Sequence, residues 1–429
     1  MMAAAGASTL RFDRASMALF LSFAFAYLFS ALLRAITATL APTFSVELQL
    51  RSADLGLLAG VFFLGFSAMQ LPLGSGLDRF GPKRVLLLLL SLAVLGCAAF
   101  ALATSFAGLV AARVLCGVGV SACLMAPMTA FRNRFDARTQ MRATSWMLMT
   151  GSLGMVVSTL PVQYLLPLLG WRGLFWGVAA LLLLAMLGIA LIVPRDPVQS
   201  EPESQEPGLR AYAAVFRHPS FVRMLPLGLV QYGSMLAVQT LWAGPWLTEV
   251  CGWSQVQAAQ GLFFINLAML LTFLSWGLVL PRLYAHGWTA QILLTRGLPV
   301  STAVLLLILL LGEQASAWAW GLFCATSTVV TLSQPTVGQA FPTRLVGRAL
   351  SAFNLLIFLG VFVVQWGIGL ALDLFRGWGW STLAAYRGAF GLMAAASVLA
   401  YLWFWWHGVE PKIAQNSRLG AACFKTDHN

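Results

Sequence analysis

Long apolar stretches, separated by short polar ones, run along almost the whole chain. A helix needs about 20 mainly apolar residues to cross a bilayer. By that measure the sequence predicts twelve membrane spans, numbered one to twelve in chain order: 15–39, 53–73, 85–104, 107–128, 142–168, 172–194, 223–247, 256–280, 289–312, 315–338, 347–372 and 383–407.

The longest polar stretch divides these spans into six and six. It is rich in Pro, Ser, Gln and Glu, which is typical of a flexible linker. The predicted organisation is a cytoplasmic tail, a six-helix bundle, a cytoplasmic linker, a second six-helix bundle and a second cytoplasmic tail, over 1–14, 15–194, 195–222, 223–408 and 409–429. The sequence WRGLF opens span six and YRGAF opens span twelve, which indicates duplicated halves. Halves related in this way hold their substrate site between them, near the bilayer midplane.

Composition excludes a soluble protein. Only 9% of the 429 residues are charged and 59% are apolar, whereas a soluble domain has about a quarter of its residues charged. The net charge of +12 does not indicate a nucleic-acid binder, because the basic residues form short clusters between apolar runs. Most of them fall on one side of the membrane when the N-terminus is placed inside. We therefore predict a multi-pass inner-membrane protein with both termini cytoplasmic.

The loop between spans two and three carries the most specific pattern in the chain. A turn this short needs glycine, and its charges can pair across a seam between helices. The loop resembles the signature loop of the major facilitator superfamily, and the pattern is filled by Gly74, Asp78, Arg79, Gly81, Lys83 and Arg84. The resemblance implies a conformational latch that holds the outward-open state. The alternative, for the last two basic residues, is that they only fix the topology.

Three arginines lie at membrane depth and need an explanation, because a charge there costs at least about 2.5 kcal/mol. Arg296 lies near the start of span nine and is predicted to extend to the lipid headgroups. Arg113, followed by Gly117 and Gly119 in span four, resembles a second motif of the superfamily and implies helix packing or coupling. Arg34 lies late in span one, with Tyr27 on the same helix face. A guanidinium suits carboxylates and phosphates, so Arg34 is predicted to clamp an anion; the alternative is a structural pair.

The first two spans also resemble the organophosphate:phosphate antiporters and related organic-anion symporters. The similarity covers Tyr27, Leu32-Leu33-Arg34, Ala41-Pro42 and the segment 52–56. It implies that Arg34 binds the substrate anion. Two positions depart from those relatives: Leu33 stands where the symporters carry Asp, and span seven has no arginine to match that of the antiporters.

The acidic residues lie in loops, in tails or at span ends, so no span has a central carboxylate. An organic cation would find no buried counter-charge, and the usual proton carrier is missing. The other candidates for substrate contact are neutral groups at membrane depth: Gln163, Gln231, Tyr232, Gln239, Asn266, Asn354 and Gln365. Each can instead join helices by hydrogen bonds. Gln231 and Gln239 are favoured for substrate contact, because eight residues separate them and place them on nearly one helix face.

These observations predict a secondary transporter that moves a small organic anion by alternating access, acting as a monomer with protons or a counter-anion as possible co-substrates. A multidrug or metabolite exporter of the same superfamily, and a transporter-like receptor without transport, are the alternatives. No catalytic set, cofactor or metal site is predicted, because the spans contain no nucleophile with a base and the six cysteines include no CxxC pair. The predicted partners are the substrate and the lipid bilayer, without nucleic acid.

Overall fold

The computed structural model describes residues 14–194 and 208–408, and the regular elements in those two ranges are helices. Span one is the single long helix Arg14–Glu47. "Outer" below means the side of the membrane at Glu47, and "inner" the side at Arg14. The helices of the first half continue as Ser52–Ala68, Gln70–Phe80, Pro82–Leu102, Phe106–Val120, Met125–Arg134, Ala137–Val157 and Leu160–Ile192.

The second half is more interrupted. Span seven alternates α-helical and π-helical turns, and span ten contains a 3-10 segment. In chain order the helices are Gly208–Arg217, Pro219–Pro226, Leu227–Tyr232 (π), Gly233–Ala237, Val238–Trp242 (π), Ala243–Pro245, Trp246–Val250 (π), Gln255–Ala285, Ala290–Leu311, Gly312–Gln314 (3-10), Ala317–Ser327, Thr328–Leu332 (3-10), Ser333–Gln339, Thr343–Gly377 and Thr382–Trp406.

The all-α polytopic class is confirmed, and all twelve predicted spans fall on helical stretches. Within the described ranges, 9 helices are each long and apolar enough to cross a membrane, or 10 when span two is counted as one span bent by 44°. The remaining spans are broken ones. Span five consists of Ala137–Val157 and the start of the next helix, which turns into span six at Gly170, where φ is 63°. Span ten is divided by its 3-10 segment, so neither of its helices reaches the required length alone.

The second part of the predicted linker is ordered, which corrects the expectation of a flexible segment there. Residues 195–207, like the tails 1–13 and 409–429, lie outside the described residues. From Gly208 to Arg217 the chain is helical, and the Tyr212 hydroxyl donates a hydrogen bond to the Leu71 carbonyl in span two at 3.3 Å. The side chain of Val215 is fully buried. This helix therefore packs on the inner end of the bundle.

Spans two and eleven form the closest contact between the halves. Gly56 and Gly60 of span two share one helix face, and this face meets the backbone of span eleven. A Cβ atom at Gly56 would lie 2.5 Å from the Gln365 carbonyl oxygen, and one at Gly60 would lie 3.0 Å from the Phe362 ring. Small residues at such a spacing allow two helix backbones to approach. The glycines thus permit the two halves to close against each other.

A polar network joins the halves at their outer end. The Asp373 carboxylate in span eleven accepts hydrogen bonds from the backbone amides of Ser52 (3.1 Å) and Ala53 (2.9 Å), which begin span two. Arg376 donates to the Ser52 hydroxyl at 2.9 Å and forms an ion pair with Glu249 of span seven at 2.5 Å. Unpaired amides at a helix start carry partial positive charge, so a carboxylate from the other half stabilises them. The structure is therefore closed at the outer end.

Candidate functional site around Arg34

The Arg34 side chain lies between the two halves. Its guanidinium carbon is 5.5 Å from the centre of the Phe66 ring in span two and 5.7 Å from that of Phe358 in span eleven. The two rings are 4.3 Å apart at a tilt of 53°, so together they bridge the halves. Leu33 and Ala35, its neighbours in sequence, are buried, whereas Arg34 is partly exposed. Arg34 therefore lies where the two halves meet and keeps part of its surface exposed.

The guanidinium has no counter-charge in the described part of the chain. Arg34 forms no ion pair there, and its Nε atom is buried without a hydrogen-bond partner. Aromatic faces attract a cation through the ring quadrupole, but they do not accept the in-plane N–H bonds of a guanidinium. The rings thus hold the charge in place and leave donors free.

Two phenols belong to the same environment. The hydroxyls of Tyr27 and Tyr232 both lie near enough to Arg34 to interact with it electrostatically, and Tyr27 lies within hydrogen-bonding range. Tyr27 is held by span five, where a Cβ atom at Gly151 would lie 2.9 Å from its hydroxyl oxygen. Of the sequence-predicted residues, Arg34, Tyr27 and Tyr232 are brought together in one cluster.

Arg113 has a different environment. Its guanidinium donates to the Leu33 carbonyl at 3.1 Å and to the Thr37 hydroxyl at 2.6 Å, both in span one, and lies 4.9 Å from the centre of the Phe62 ring. Only 1% of Arg113 is exposed. All these partners belong to the first half, so this arginine joins spans within one bundle.

The two glycines that follow Arg113 lie where helices cross closely. A Cβ atom at Gly117 would overlap the Phe62 backbone, and one at Gly119 would overlap the Ala93 backbone. This geometry favours the packing interpretation of the span-four motif.

The two favoured amides of span seven are bonded to different helices. Gln231 donates to the Ser397 carbonyl in span twelve at 3.0 Å. Gln239 donates to the Asn266 side-chain oxygen in span eight at 2.9 Å and contacts the Met155 sulfur of span five at 3.4 Å. Both amides are thus engaged in hydrogen bonds between helices, the alternative to substrate contact that the sequence left open.

The other neutral candidates differ in how far they are buried. Gln365 donates to the Thr240 hydroxyl at 2.9 Å and is fully buried. Gln163 is also buried, in span five. Asn354 stays partly exposed, accepts a 2.7 Å hydrogen bond from Gln334, and stands one helical turn before Phe358. Of these amides, Asn354 is the one that shares a helix face with Phe358.

The loop between spans two and three keeps the glycine turn that its sequence predicts. Gly81 has φ of 77°, a conformation that disfavours side chains. Asp78 and Arg84 are exposed and form no ion pair with the described residues, and Arg79 lies against the ring of its neighbour Phe80. The latch contact is thus not made in this conformation, which is closed at the outer end. Gly74 lies at the inner end of the contact between spans two and eleven. A Cβ atom added to it would be 3.9 Å from the Ser351 hydroxyl oxygen.

Lys83 has a role that the sequence did not reveal. Its ammonium group donates to the carbonyls of Ala190 (2.7 Å) and Val193 (2.6 Å) at the inner end of span six. A cation at a helix C-terminus stabilises unpaired carbonyls and the helix dipole.

The site suits an anion that both halves can contact. A guanidinium with free donors binds a carboxylate or phosphate in its own plane, while the two rings offer apolar contact above it. Phe66 and Phe358 were missed by sequence reasoning, since many phenylalanines occur in the spans and only the packing selects these two. Residues 14–194 and 208–408 contain no group of three His, Cys, Asp or Glu side chains that could hold a metal ion.

The fold and this site define a helical membrane protein with two bundles and a charged centre between them. Residues 23–365 match the family model of the Major Facilitator Superfamily. The chain therefore belongs to this superfamily of membrane transporters.

The relatives of the chain agree with this family. A probable L-galactonate transporter of Escherichia coli (strain K12) is 23% identical over 72% of this chain and 66% of its own length. The multidrug resistance protein MdtM of Salmonella typhimurium is 28% identical over 56% of this chain and 59% of its own length. The chain thus spans less than two thirds of either relative.

The fold also matches a solved structure. A bacterial homologue of the human lysosomal transporter Spinster, in an inward-facing and unoccupied conformation, superposes with a TM-score of 0.72 at 17% identity, covering 92% of this chain and 97% of the other.

Proposed function

We propose that this protein is a secondary transporter of the inner membrane that carries a small organic anion, with Arg34 as its charge contact. One observation carries the proposal: a partly exposed guanidinium between the two halves, with no carboxylate partner in the described chain and an unpartnered Nε atom. A charge at membrane depth without a counter-charge is costly. A substrate anion would supply the missing charge.

The chemistry of one relative supports an anion of the carboxylate class. Galactonate is a sugar acid, and its carboxylate would suit the plane of the guanidinium. Its hydroxyl groups would find acceptors and donors in Tyr27, Tyr232 and Asn354. An anion held by Arg34 also touches Phe66 of one half and Phe358 of the other, and such contact with both halves is what alternating access requires.

The proposal includes coupling to a proton or to a counter-anion. The described spans have no central carboxylate to carry a proton, so a coupled proton would travel with the substrate anion or through water. The excess of basic residues on the side of Arg14 supports cytoplasmic termini.

Export of apolar drugs is the second candidate function, favoured by the multidrug relative and by the ring cluster beside Arg34. Phe63, Phe66 and Phe358 stack across the seam, with ring centres 6.2 Å and 4.3 Å apart for the two pairs that include Phe358. An apolar substrate would rest on these rings without using the guanidinium.

Uptake into proteoliposomes distinguishes the two. We expect the purified protein to accumulate labelled galactonate or a related sugar acid, and Arg34→Gln to weaken binding by at least about 30-fold, because the loss of one partner from a buried charged hydrogen bond costs about 2 to 5 kcal/mol. Arg296→Gln is the matched control, since that arginine is exposed and lies against Trp288, outside the site.

The proposal is wrong if apolar or cationic compounds are moved and Arg34→Gln leaves that flux unchanged. Ligand binding without any accumulation would instead indicate a receptor that has kept the transporter fold.

A further inference from the structure

A groove opens on the lipid-facing surface of the first half, between spans one, five and six. It encloses about 620 Å³, a volume typical of small-molecule sites. Its rim is exposed and apolar: Leu21, Leu184 and Leu191 are 55%, 56% and 76% exposed. The groove lies in the inner half of the membrane, since it is lined by the first two turns of span one after Phe20 and by the last turns of span six. It is separate from the space around Arg34.

The lining selects an apolar occupant. Its two hydroxyls are already bonded to their own helices: Ser22 donates to the Ala18 carbonyl at 2.8 Å, and Thr150 donates to the Trp146 carbonyl at 2.9 Å. Water needs two to four polar partners to occupy a cavity, and these groups leave few. In a bilayer, the apolar group that can fill such a groove is a lipid acyl chain.

Span five carries a basic residue to the inner mouth of the groove. Arg142, Trp146 and Thr150 follow one another at four-residue spacing, so they share a helix face. Thr150 lines the groove. The Trp146 ring packs edge-on against Phe20, also in the lining, at 5.7 Å, and the Arg142 guanidinium lies 5.5 Å from the Trp146 ring centre. Arg142 is exposed.

Span one places a second arginine at the same mouth. Arg14 precedes Leu21, Phe25 and Leu28 at spacings of seven, eleven and fourteen residues, which keeps all four on one face. Those three apolar residues line the groove, and Arg14 is exposed. Asp136, the nearest acid along span five, accepts a hydrogen bond from the Thr139 amide at the helix start.

We propose that this groove is a binding site for an anionic phospholipid of the inner leaflet, with one acyl chain in the groove and the headgroup phosphate between Arg14 and Arg142. Basic residues near a membrane surface attract anionic lipids, and basic pockets beside helices hold their headgroups. The apolar lining accounts for the chain, and the two arginines account for the headgroup.

Native mass spectrometry of the purified full-length protein tests the proposal. The protein is incubated with equal amounts of phosphatidylglycerol and phosphatidylcholine that carry the same acyl chains. We expect one phosphatidylglycerol to be retained in preference. Arg14→Gln and Arg142→Gln should each lower the preference about fivefold, and the control Arg282→Gln, at the exposed inner end of span eight, should not.

A second pair of variants tests the groove itself. Gly188 lines the groove, and a Cβ atom there would be 3.9 Å from the Ser22 hydroxyl, which is ordinary contact, so the ring of Gly188→Phe should extend into the groove. Gly177→Phe is the matched control on the same helix, because nothing lies within 4 Å of its Cβ position. Loss of retained lipid in the first variant alone supports the site.

The proposal is overturned if both phenylalanine variants retain lipid equally, if the wild-type protein shows no preference for phosphatidylglycerol, or if the arginine variants keep that preference.

Discussion

Replacing Asp373 should shift the protein away from the conformation closed at its outer end. This carboxylate belongs to span eleven, yet it caps the first two backbone amides of span two, at Ser52 and Ala53. When the halves separate at the outer end, the amides lose this partner. The cap therefore stabilises one conformation over the other, and not the fold in general.

The size of the shift follows from the energetics of helix capping. Loss of an N-cap side chain costs about 0.5 to 2 kcal/mol, and the interaction of the carboxylate with the helix dipole is part of that cost. A difference of about 1 to 2 kcal/mol changes the ratio of outer-closed to outer-open molecules about 5-fold to 30-fold. Asp373→Asn should have a smaller effect, because an amide keeps one acceptor oxygen but loses the charge.

This ratio can be followed by pulsed electron paramagnetic resonance, which measures the distribution of distances between two spin labels. Suitable positions are Val46, which is 80% exposed at the outer end of the first half, and Gln255, which is exposed at the outer end of the second. Both are replaced by cysteine after the native cysteines are removed. We expect Asp373→Ala to add a population at longer distance.

The control is Asp54→Ala. The Asp54 carboxylate accepts from the Arg51 amide at 3.1 Å, so it also caps the start of span two, but from within the same half. Its loss should lower thermal stability in both conformations and leave the distances unchanged. An unchanged distance distribution in Asp373→Ala, or the same shift in both variants, would refute the assignment of a conformational role to the cap.

Three further changes test the packing around the seam and the site. Gly56→Ala should also favour the outer-open form, since its Cβ atom would lie 2.5 Å from the backbone oxygen of Gln365, and the same spin-label distances report it. Gly151→Ala should displace the Tyr27 ring, whose Cε1 atom would be 2.5 Å away; we expect weaker substrate binding in a thermal-shift titration, with the unliganded melting temperature lowered by only a few degrees. Lys83→Met should remove the cap of span six at a cost of about 1 kcal/mol, seen as a lower melting temperature.

The positions of the long apolar helices could be predicted because lipid imposes a minimum apolar length on every helix that crosses it. The interruptions could not. The π-helical turns of span seven and the 3-10 segment of span ten are absent from the periodicity, since these spans are apolar on most sides. For this reason the sequence predicts that span seven exists, whereas the hydrogen-bond partners of Gln231 and Gln239 depend on the packing.

Of the residues around Arg34, the sequence singles out the charged residue itself but not the two rings against which it lies. Arg34 stands out in an apolar span because its insertion is costly. Its partners come from elsewhere: Phe66 lies in the next span, and Phe358 lies 324 positions along the chain. Nothing in a single sequence relates such distant positions. The same applies to Asp373. In the sequence it is only an acidic residue at the end of a span, and the packing of the two halves brings it to the backbone amide of Ser52, at the start of span two.

Arg34 and Arg113 could not be separated by depth or by cost of insertion, but their partners separate them. The donors of Arg113 reach Leu33 and Thr37, and every one of these groups belongs to the first half. When the halves move as rigid bodies, its surroundings stay the same. Arg34 lies against a ring from each half, so its surroundings change with each movement. Because a ligand shifts a conformational equilibrium only through contacts that differ between the states, we expect Arg34, and not Arg113, to be the arginine through which substrate binding drives the cycle.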